Sequence, residues 1–495
     1  MKKFKLSENI DPNKVFIINR SKLEGRLDIN FNSFSIRKIV ERIKSKGTLK
    51  LIDITEPIKN GSTPSDGKFE NSGVTYYRSQ DFTLYSFSKN QYISEIFNSK
   101  IIRSYIKKGD ILLAVVGATL GKVGYVYSEE LEGNINQNIA RIRINDERFL
   151  SEFVAIYLNS NIGQKLIQRY ATITTQAYLN NQQLGKIPIP LLKIEVQQNI
   201  INILKSAYLK KQQKEAEAQR LLDCIDDYLL GELGIILPKE EEYLPENTDK
   251  NSIYNLDNDN PLVKKGRLFL TNLSEVTGKR IDPDYYSIYY KKIIAKIEKG
   301  KYSMDTISNN CINVFSGKTP SSSEYSKDNT VYPIIKVSSY TDYKIDVEKV
   351  AFATNKQPFN ILKGDIFILS AAHQAEYVGK HIKYLEETPK CPTSFVGELL
   401  CIRVNEEKLL SNYLFSLLNT KYYKILINRE KTGQTSHIYP KDVESIKIPL
   451  PPLEKQNEIA AHISQIRNKA NALKQEGKEI LEQVKQEVEQ MILGN

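Results

Sequence analysis

This sequence predicts two tandem mixed α/β (α+β) domains, each followed by a long helix. Three observations carry the prediction. The chain repeats its own order of motifs after about half its length. Each copy sets short apolar runs between turn residues, beside stretches of helical period. Each copy then crosses a proline-rich boundary into a long charged segment with an apolar heptad stripe.

The repeat is read from collinear matches. "RLDINF" (Arg26–Phe31) corresponds to "RIDPDY" (Arg280–Tyr285), and "GSTP" (Gly61–Pro64) to "GKTP" (Gly317–Pro320). "KKGDILLAVVG" corresponds to "LKGDIFILSAA", with Gly109-Asp110 on Gly364-Asp365. "ARIRIN" (Ala140–Asn145) corresponds to "LCIRVN" (Leu400–Asn405). In the last window, Leu184–Ile200 against Val443–Ile459, 7 of 17 positions are identical. The offset drifts only from 254 to 260 residues, and chance does not preserve order and spacing together. So long a period means duplicated domains rather than a solenoid.

Within each copy, "GDILLAVVG" and "GDIFILSAA" read as buried strands by length and branching. "LSEFVAIYLNSNIGQKLIQRY" (Leu150–Tyr170) and "LLSNYLFSLLNTKYYKILI" carry helical periodicity. "IPIPLL" and "IPLPPL" read as extended linkers, because proline fixes φ and biases the residue before it. The expected boundaries are a first domain over 1–190, a long helix over 191–237, a polar linker over 238–262, a second domain over 263–450 and a second long helix over 451–495.

Steps alternating between four and three residues place Ile459, Ile463, Ile466, Leu473, Ile480 and Val484 on one stripe of the second helix. The same register places Ile200, Leu204, Leu221 and Ile225 on the first, where Lys211 and Lys214 interrupt the middle. Each helix would be about 50–55 Å long at 1.5 Å per residue. So narrow a stripe calls for a partner helix. The candidates are the other long helix, paired antiparallel as a coiled coil, or a second protein. Packing of each helix on its own domain is the alternative.

The formal charge is +11, from 70 Lys and Arg against 59 Asp and Glu. An excess of cations favours a polyanionic partner, nucleic acid above all. A Lys-, Asn-, Ile- and Tyr-rich chain without Trp can also reflect biased genome composition. The longest apolar run, Ile111 to Val116, is far short of the roughly 20 residues that span a bilayer. No apolar leader follows the N-terminal lysines, so a cytoplasmic protein with no membrane partner is expected. The four cysteines form no C-x-x-C pair, and no metal site is expected.

The glycine loop "GATLGKVG" invites a nucleotide-binding reading and fails it. A phosphate-binding loop needs four residues between its glycines and Ser or Thr after the lysine. Here three residues separate Gly117 from Gly121, and Val123 follows Lys122. In the second copy only the Gly-Lys pair survives, as Gly379-Lys380. A tight strand-to-strand turn presenting one lysine is the better reading. No N-P-P-[Y/F] or D-P-P-Y loop of base methyltransferases is present. None of His373, His381, His437 and His462 has a histidine at the corresponding place in the first copy. No catalytic residue is assigned.

Polar stretches at matched positions remain. "YYRSQDF" corresponds to "PIIKVSSY", and "TITTQAYL" to "TGQTSHIY". Their side chains are those that read base edges and grip phosphates. Two similar frameworks with different loops would read two different short sequences.

In these motifs, and in their order, the sequence resembles the specificity subunit of type I restriction–modification systems over nearly its whole length. The resemblance implies two target-recognition domains held apart by an antiparallel helix pair, each reading one half of a split site in double-stranded DNA. It implies two modification (methyltransferase) subunits as partners, and restriction (helicase–nuclease) subunits as further ones. S-adenosylmethionine, ATP and Mg2+ would then belong to those partners, with no cofactor in this chain. The expected DNA-contacting residues are Arg78, Ser79, Gln80, Thr119, Lys122, Thr175, Gln176 and Tyr178 in the first copy. In the second they are Lys318, Lys336, Ser338, Lys380, Gln434, Thr435, Ser436 and His437. Lys122, Lys380, Arg78 and Lys336 would grip phosphates, and the loops around Gln80, Gln176, Gln434 and Ser436 would read bases. A self-contained DNA-modifying or DNA-cleaving enzyme, or a coiled-coil scaffold without a DNA role, are the competing readings.

Overall fold

The two "KGD" runs form the central strands of two like sheets. In the computed structural model, which describes residues 10–11, 15–20, 29–64, 69–172, 176–237, 276, 283–328, 332–339, 345–372, 374–431 and 436–494, the chain divides into two units. The first comprises Met1–Glu215 and Lys474–Asn495, and the second Ala216–Leu473. Both divisions therefore fall inside the long helices.

In the first unit an antiparallel sheet runs in the order Lys59–Asn60, Ile139–Ile142, Ile111–Ala114, Val123–Tyr125. All four residues of Ile111–Ala114 are buried. Alternation along the strand explains why. Ile111 and Leu113 face a core that includes Phe153, Leu166 and Ile167 of the helices Ser151–Asn159 and Asn161–Tyr170. Leu112 faces a second core with Tyr77, Phe82 and Ile135. A strand covered on both faces reads as a continuous apolar run. Burying each such side chain contributes about 2 kcal/mol.

The second unit repeats the plan. Its sheet runs Cys311–Ser316, Leu399–Val404, Ile366–Leu369, Ile382–Tyr384. Ile366 and Ile368 face one core and Phe367 and Leu369 the other. Each unit also carries a short parallel pair: Val74–Tyr77 beside Asn134–Ile135, and Tyr332–Ile335 beside Ser394–Phe395. The "GSTP" and "GKTP" glycines enter against these pairs. A Cβ on Gly61 would collide with the carbonyl of Ile135, and one on Gly317 with that of Phe395.

The proline boundaries differ from the sequence expectation. They are hydrogen-bonded strands rather than linkers: Pro188–Pro190 pairs with Thr48–Lys50, and Lys447–Pro449 with Met304–Thr306. Both are two-stranded ribbons, so an edge lies free of the ladder and proline's missing N–H is tolerated there.

The first long helix is Ile194–Leu233 and the second Leu453–Leu493. In the first unit Ile200, Ile201, Leu204 and Ala207 share a core with Leu481, Val488 and Ile492, with Ile480 and Val484 at its edge. In the second unit Ile225, Leu229 and Leu233 share a core with Ile459, Ala460 and Ile463, with Ile466 at its edge. The start of one helix meets the end of the other in each case, so the pair is antiparallel. The same residues also pack on the globular cores. Pairing and docking on the domain, alternatives at the level of sequence, both occur.

A glutamine locks each helix entry. Buried Gln197 accepts from the Leu150 N–H (2.8 Å) and donates to the carbonyls of Arg148 and Leu192. Gln456 repeats this with Leu410, Lys408 and Pro451. Each unit also uses a carboxylate from the long helix of the other copy to cap a short helix. Glu489 accepts from the Asn161 N–H (2.7 Å), and Asp226 from the Lys421 N–H (2.8 Å). Both carboxylates sit at positive helix N-termini.

Candidate nucleic-acid interface

The "GATLGKVG" segment of the first unit is a turn between antiparallel strands, as its sequence suggests. Gly117 (φ 75°) and Gly121 (φ 89°) supply the left-handed backbone. The Gly121 N–H closes on the Ala114 carbonyl at 2.8 Å. The Gly117 N–H donates to the Ala177 carbonyl (2.9 Å), and Val116 bridges Tyr178. The turn with Thr119 is thereby sewn to the loop of Gln176 and Tyr178. The Gln176 amide lies 3.0 Å from where a Gly117 Cβ would be. Gln176 is exposed and Tyr178 is 41% exposed.

Lys122 joins a third segment to these two. Its Nζ donates to the Gln80 carbonyl (3.0 Å) and lies 5.8 Å from the centre of the Phe82 ring. Gln80 is exposed, whereas Ser79 is buried. Arg78 is held by Asp81, a residue that sequence reasoning missed. The signal was there: an aspartate three residues after the arginine, the spacing of a side-chain-to-backbone turn. The following hairpin, Phe82–Thr83 with Ser86–Phe87, is anchored to the first long helix. Tyr85 donates to Glu152 Oε1 (2.7 Å), and Glu152 Oε2 binds Lys205 Nζ (2.8 Å).

In the second unit Gly379 (φ 75°) takes the place of Gly121, its N–H on the Leu369 carbonyl at 2.8 Å. Ala371 bridges His437, as Val116 bridges Tyr178. His437 thus holds in the second unit the place that Tyr178 holds in the first, one residue away from the pairing of "TITTQAYL" with "TGQTSHIY", which sets it on Ala177. Ser436 adopts φ 42°, and His437 stacks on Tyr439 with ring centres 6.2 Å apart. Thr175, Gln434 and Thr435 lie outside the described residues, as does His373. Lys318 and Lys336 flank the same strand end: the Lys318 N–H donates to the Phe395 carbonyl, and Val396 N–H to the Ile335 carbonyl. Lys318 and Ser338 are exposed, and Lys336 leans on Tyr325 at 4.7 Å.

Lys380 is exposed over the Tyr377 ring. Around it the structure gathers cations that the sequence did not single out. Gly379 packs on Ile427 and Asn428 of the helix Lys421–Arg429. Burial first, and then cations including Lys380, push the Lys424 ammonium below its usual range, against the pull of Asp226. Burial and Lys380 do the same to Lys431. Burial first, and then Lys383, Lys380 and Lys424, push the His381 imidazole below its ordinary value. Cations that disfavour one another would be relieved by an anion. In the first unit the place of Lys424 is taken by Gln164, whose amide simply donates to the Gly121 and Leu158 carbonyls.

Among the described residues, no group of three His, Cys, Asp or Glu could hold a metal. No described helix is long and apolar enough to cross a membrane. The His462 ring lies against Tyr228 of the other long helix, ring centres 4.3 Å apart and planes tilted by 41°, within the second unit.

The family model described as "Type I restriction modification DNA specificity domain" matches residues 44–220 and again 310–484. A curated relative from Methanocaldococcus jannaschii, described as the specificity subunit of the type I restriction enzyme MjaX, is 24% identical over 475 residues, spanning 94% of this chain and 96% of the relative. The EcoBI specificity subunit of Escherichia coli is 28% identical over 135 residues, 27% of this chain and 28% of that one. A solved type I restriction–modification S subunit from M. genitalium aligns over 90% of this chain and 95% of its own, at 14% identity and a TM-score of 0.41. With the domain matched twice, and over most of its length, the chain belongs to the type I restriction–modification DNA specificity family.

Proposed function

We propose that this chain is the sequence-recognition subunit of a type I restriction–modification complex, and that each unit reads one half of a bipartite DNA site. The observation that carries this reading is the family domain matched twice on like sheets whose polar loops differ. Like frameworks give like approach to the duplex, and different loops give different sequences. The lysines around Lys122, Lys336 and Lys380 grip phosphates, and the loops around Gln80, Gln176, Gln434 and Ser436 face bases. The chain is non-catalytic. S-adenosylmethionine, ATP and Mg2+ act on its partners: two methyltransferase subunits docked along the long helices, and restriction subunits where the system has them. The complex works in the cytoplasm.

Selection from a randomised duplex library tests this, using the full chain with its modification subunits. The expected result is two short conserved blocks separated by a constant gap, with binding lost when either block is scrambled. Enrichment of a single block, or methylation or cleavage of DNA by the purified chain alone, overturns the reading.

A further inference from the structure

We propose that Arg78 reads a guanine in the half-site of the first unit and that Asp81 is the residue that positions it. The proposal rests on the DNA-recognition reading above and deepens it.

The Asp81 side chain is 2% exposed and faces Arg78 with both oxygens. Oδ2 accepts from the Arg78 backbone N–H (2.8 Å) and from Nε (3.1 Å), and Oδ1 accepts from Nη2 (3.3 Å). Asn90 Nδ2 approaches Oδ1 at 3.5 Å. The aspartate is itself fixed. Its N–H donates to the Arg78 carbonyl, and its carbonyl accepts from Ser88 (2.8 Å). The arginine is thereby held at backbone and side chain by one buried carboxylate.

A guanidinium offers five N–H groups in a plane. Asp81 occupies the edge made by Nε and Nη2. The edge made by Nη1 and the second N–H of Nη2 has no hydrogen bond among the described residues, and the side chain is 32% exposed. That edge presents two parallel donors. Guanine O6 and N7 present two acceptors side by side in the major groove. A phosphate also accepts two donors, so orientation has to separate the two ligands. Gripping a phosphate needs charge and little else, which a mobile lysine supplies. Reading a base needs a fork held at a fixed angle, which the carboxylate supplies.

The second unit makes the contrast. It has the same turn: the Lys336 N–H donates to Ser339 Oγ (3.1 Å) and the Ser339 N–H to the Lys336 carbonyl (2.9 Å). Both special residues are replaced, the aspartate by serine and the arginine by a lysine that leans on Tyr325. The fork and its anchor occur together in the first unit and are both replaced in the second. That is the pattern of a specificity device rather than of a framework element.

The test uses the full chain with its modification subunits. Genomic DNA from expressing cells is sequenced for the methylated motif, and binding to random duplex is followed against salt. R78K keeps the charge and removes the fork. It should make one G·C position of one block degenerate, with preference for guanine falling about 5- to 150-fold. The other block and the salt slope should stay as in the wild type. D81N should relax the same position while Arg78 remains. An unaltered motif in R78K overturns the proposal. So does an R78A variant that weakens binding to all sequences alike and lowers the salt slope by about one, the signature of a phosphate contact. An unaltered motif in D81N overturns the part given to Asp81. A wild-type complex that marks no motif sinks the recognition reading itself.

Discussion

The "KGD" motif shows what a single residue does in this protein. Asp110 is 1% exposed and accepts two bonds from Arg143, at 2.6 and 2.7 Å, and one from the Lys107 N–H. Asp365 does the same with Arg403, at 2.8 and 2.8 Å, and with the Leu362 N–H. The hydrogen bond to Asp110 is the main cause that raises the Arg143 guanidinium above its ordinary value. Two repeated motifs, "KGD" and "IRIN" or "IRVN", thus recur because each supplies half of one ion pair across adjacent strands. The pairing was not legible, since 33 residues separate Asp110 from Arg143. Removing the buried carboxylate takes from the guanidinium its two-bond partner and leaves Arg143 only the longer contact to Glu56, at 3.6 Å. D110N should lower the stability of the first unit by about 3 kcal/mol, and D365N that of the second, read as a shift in the urea midpoint. A midpoint unchanged in both would mean that the pair adds nothing.

At the scale of the element, the long helices depart most from a simple heptad picture. Lys211 and Lys214 look like a weak centre in the sequence. In the first unit Lys214 Nζ binds Glu476 Oε2 at 3.0 Å, and Lys211 pairs with Glu215. Gly477 faces them, and a Cβ there would stand 3.3 Å from the Lys211 Cα. In the second unit Ala218 and Ala470 are fully buried beside Leu473, with Leu221 at the edge. The helices therefore approach closely over small residues where large apolar ones would hold them apart. G477V should push the helices apart there and cost about 1–3 kcal/mol, the range for overpacking a tight contact. Thermal unfolding and partner assembly would report it, and a variant as stable as the wild type would contradict the close contact. The period marked Ile459 and Ile463 of the second helix, but toward its end the core takes Leu481, Val488 and Ile492 and leaves the expected Ile480 and Val484 at the edge, because packing on the first unit turns the buried face. The caps by Glu489 and Asp226 were not legible, because nothing local marks which helix end a distant carboxylate will meet.

For the whole molecule, charge and duplication lead to one measurable consequence. With a net charge of +11, DNA binding should run largely on counterion release. If six to ten phosphates are neutralised, affinity should fall by about 10^3- to 10^5-fold between 50 and 200 mM salt. A flat response in a titration of the full chain over that range would contradict a phosphate-gripping interface.

The tandem plan, the strand-rich copies, the two long helices and the "GATLGKVG" turn could all be read from the chain. Each is written in local pattern: a repeated order, an apolar period, a glycine spacing. The tertiary structure decided everything that joins residues distant along the chain. It made strands of the proline segments by bringing Thr48–Lys50 and Met304–Thr306 beside them. It tied Lys122 to Gln80, buried Ser79, and gathered Lys424 and Lys431 around Lys380. Backbone pattern depends on neighbours in sequence, whereas hydrogen bonding, burial and mutual repulsion of charge depend on neighbours in space.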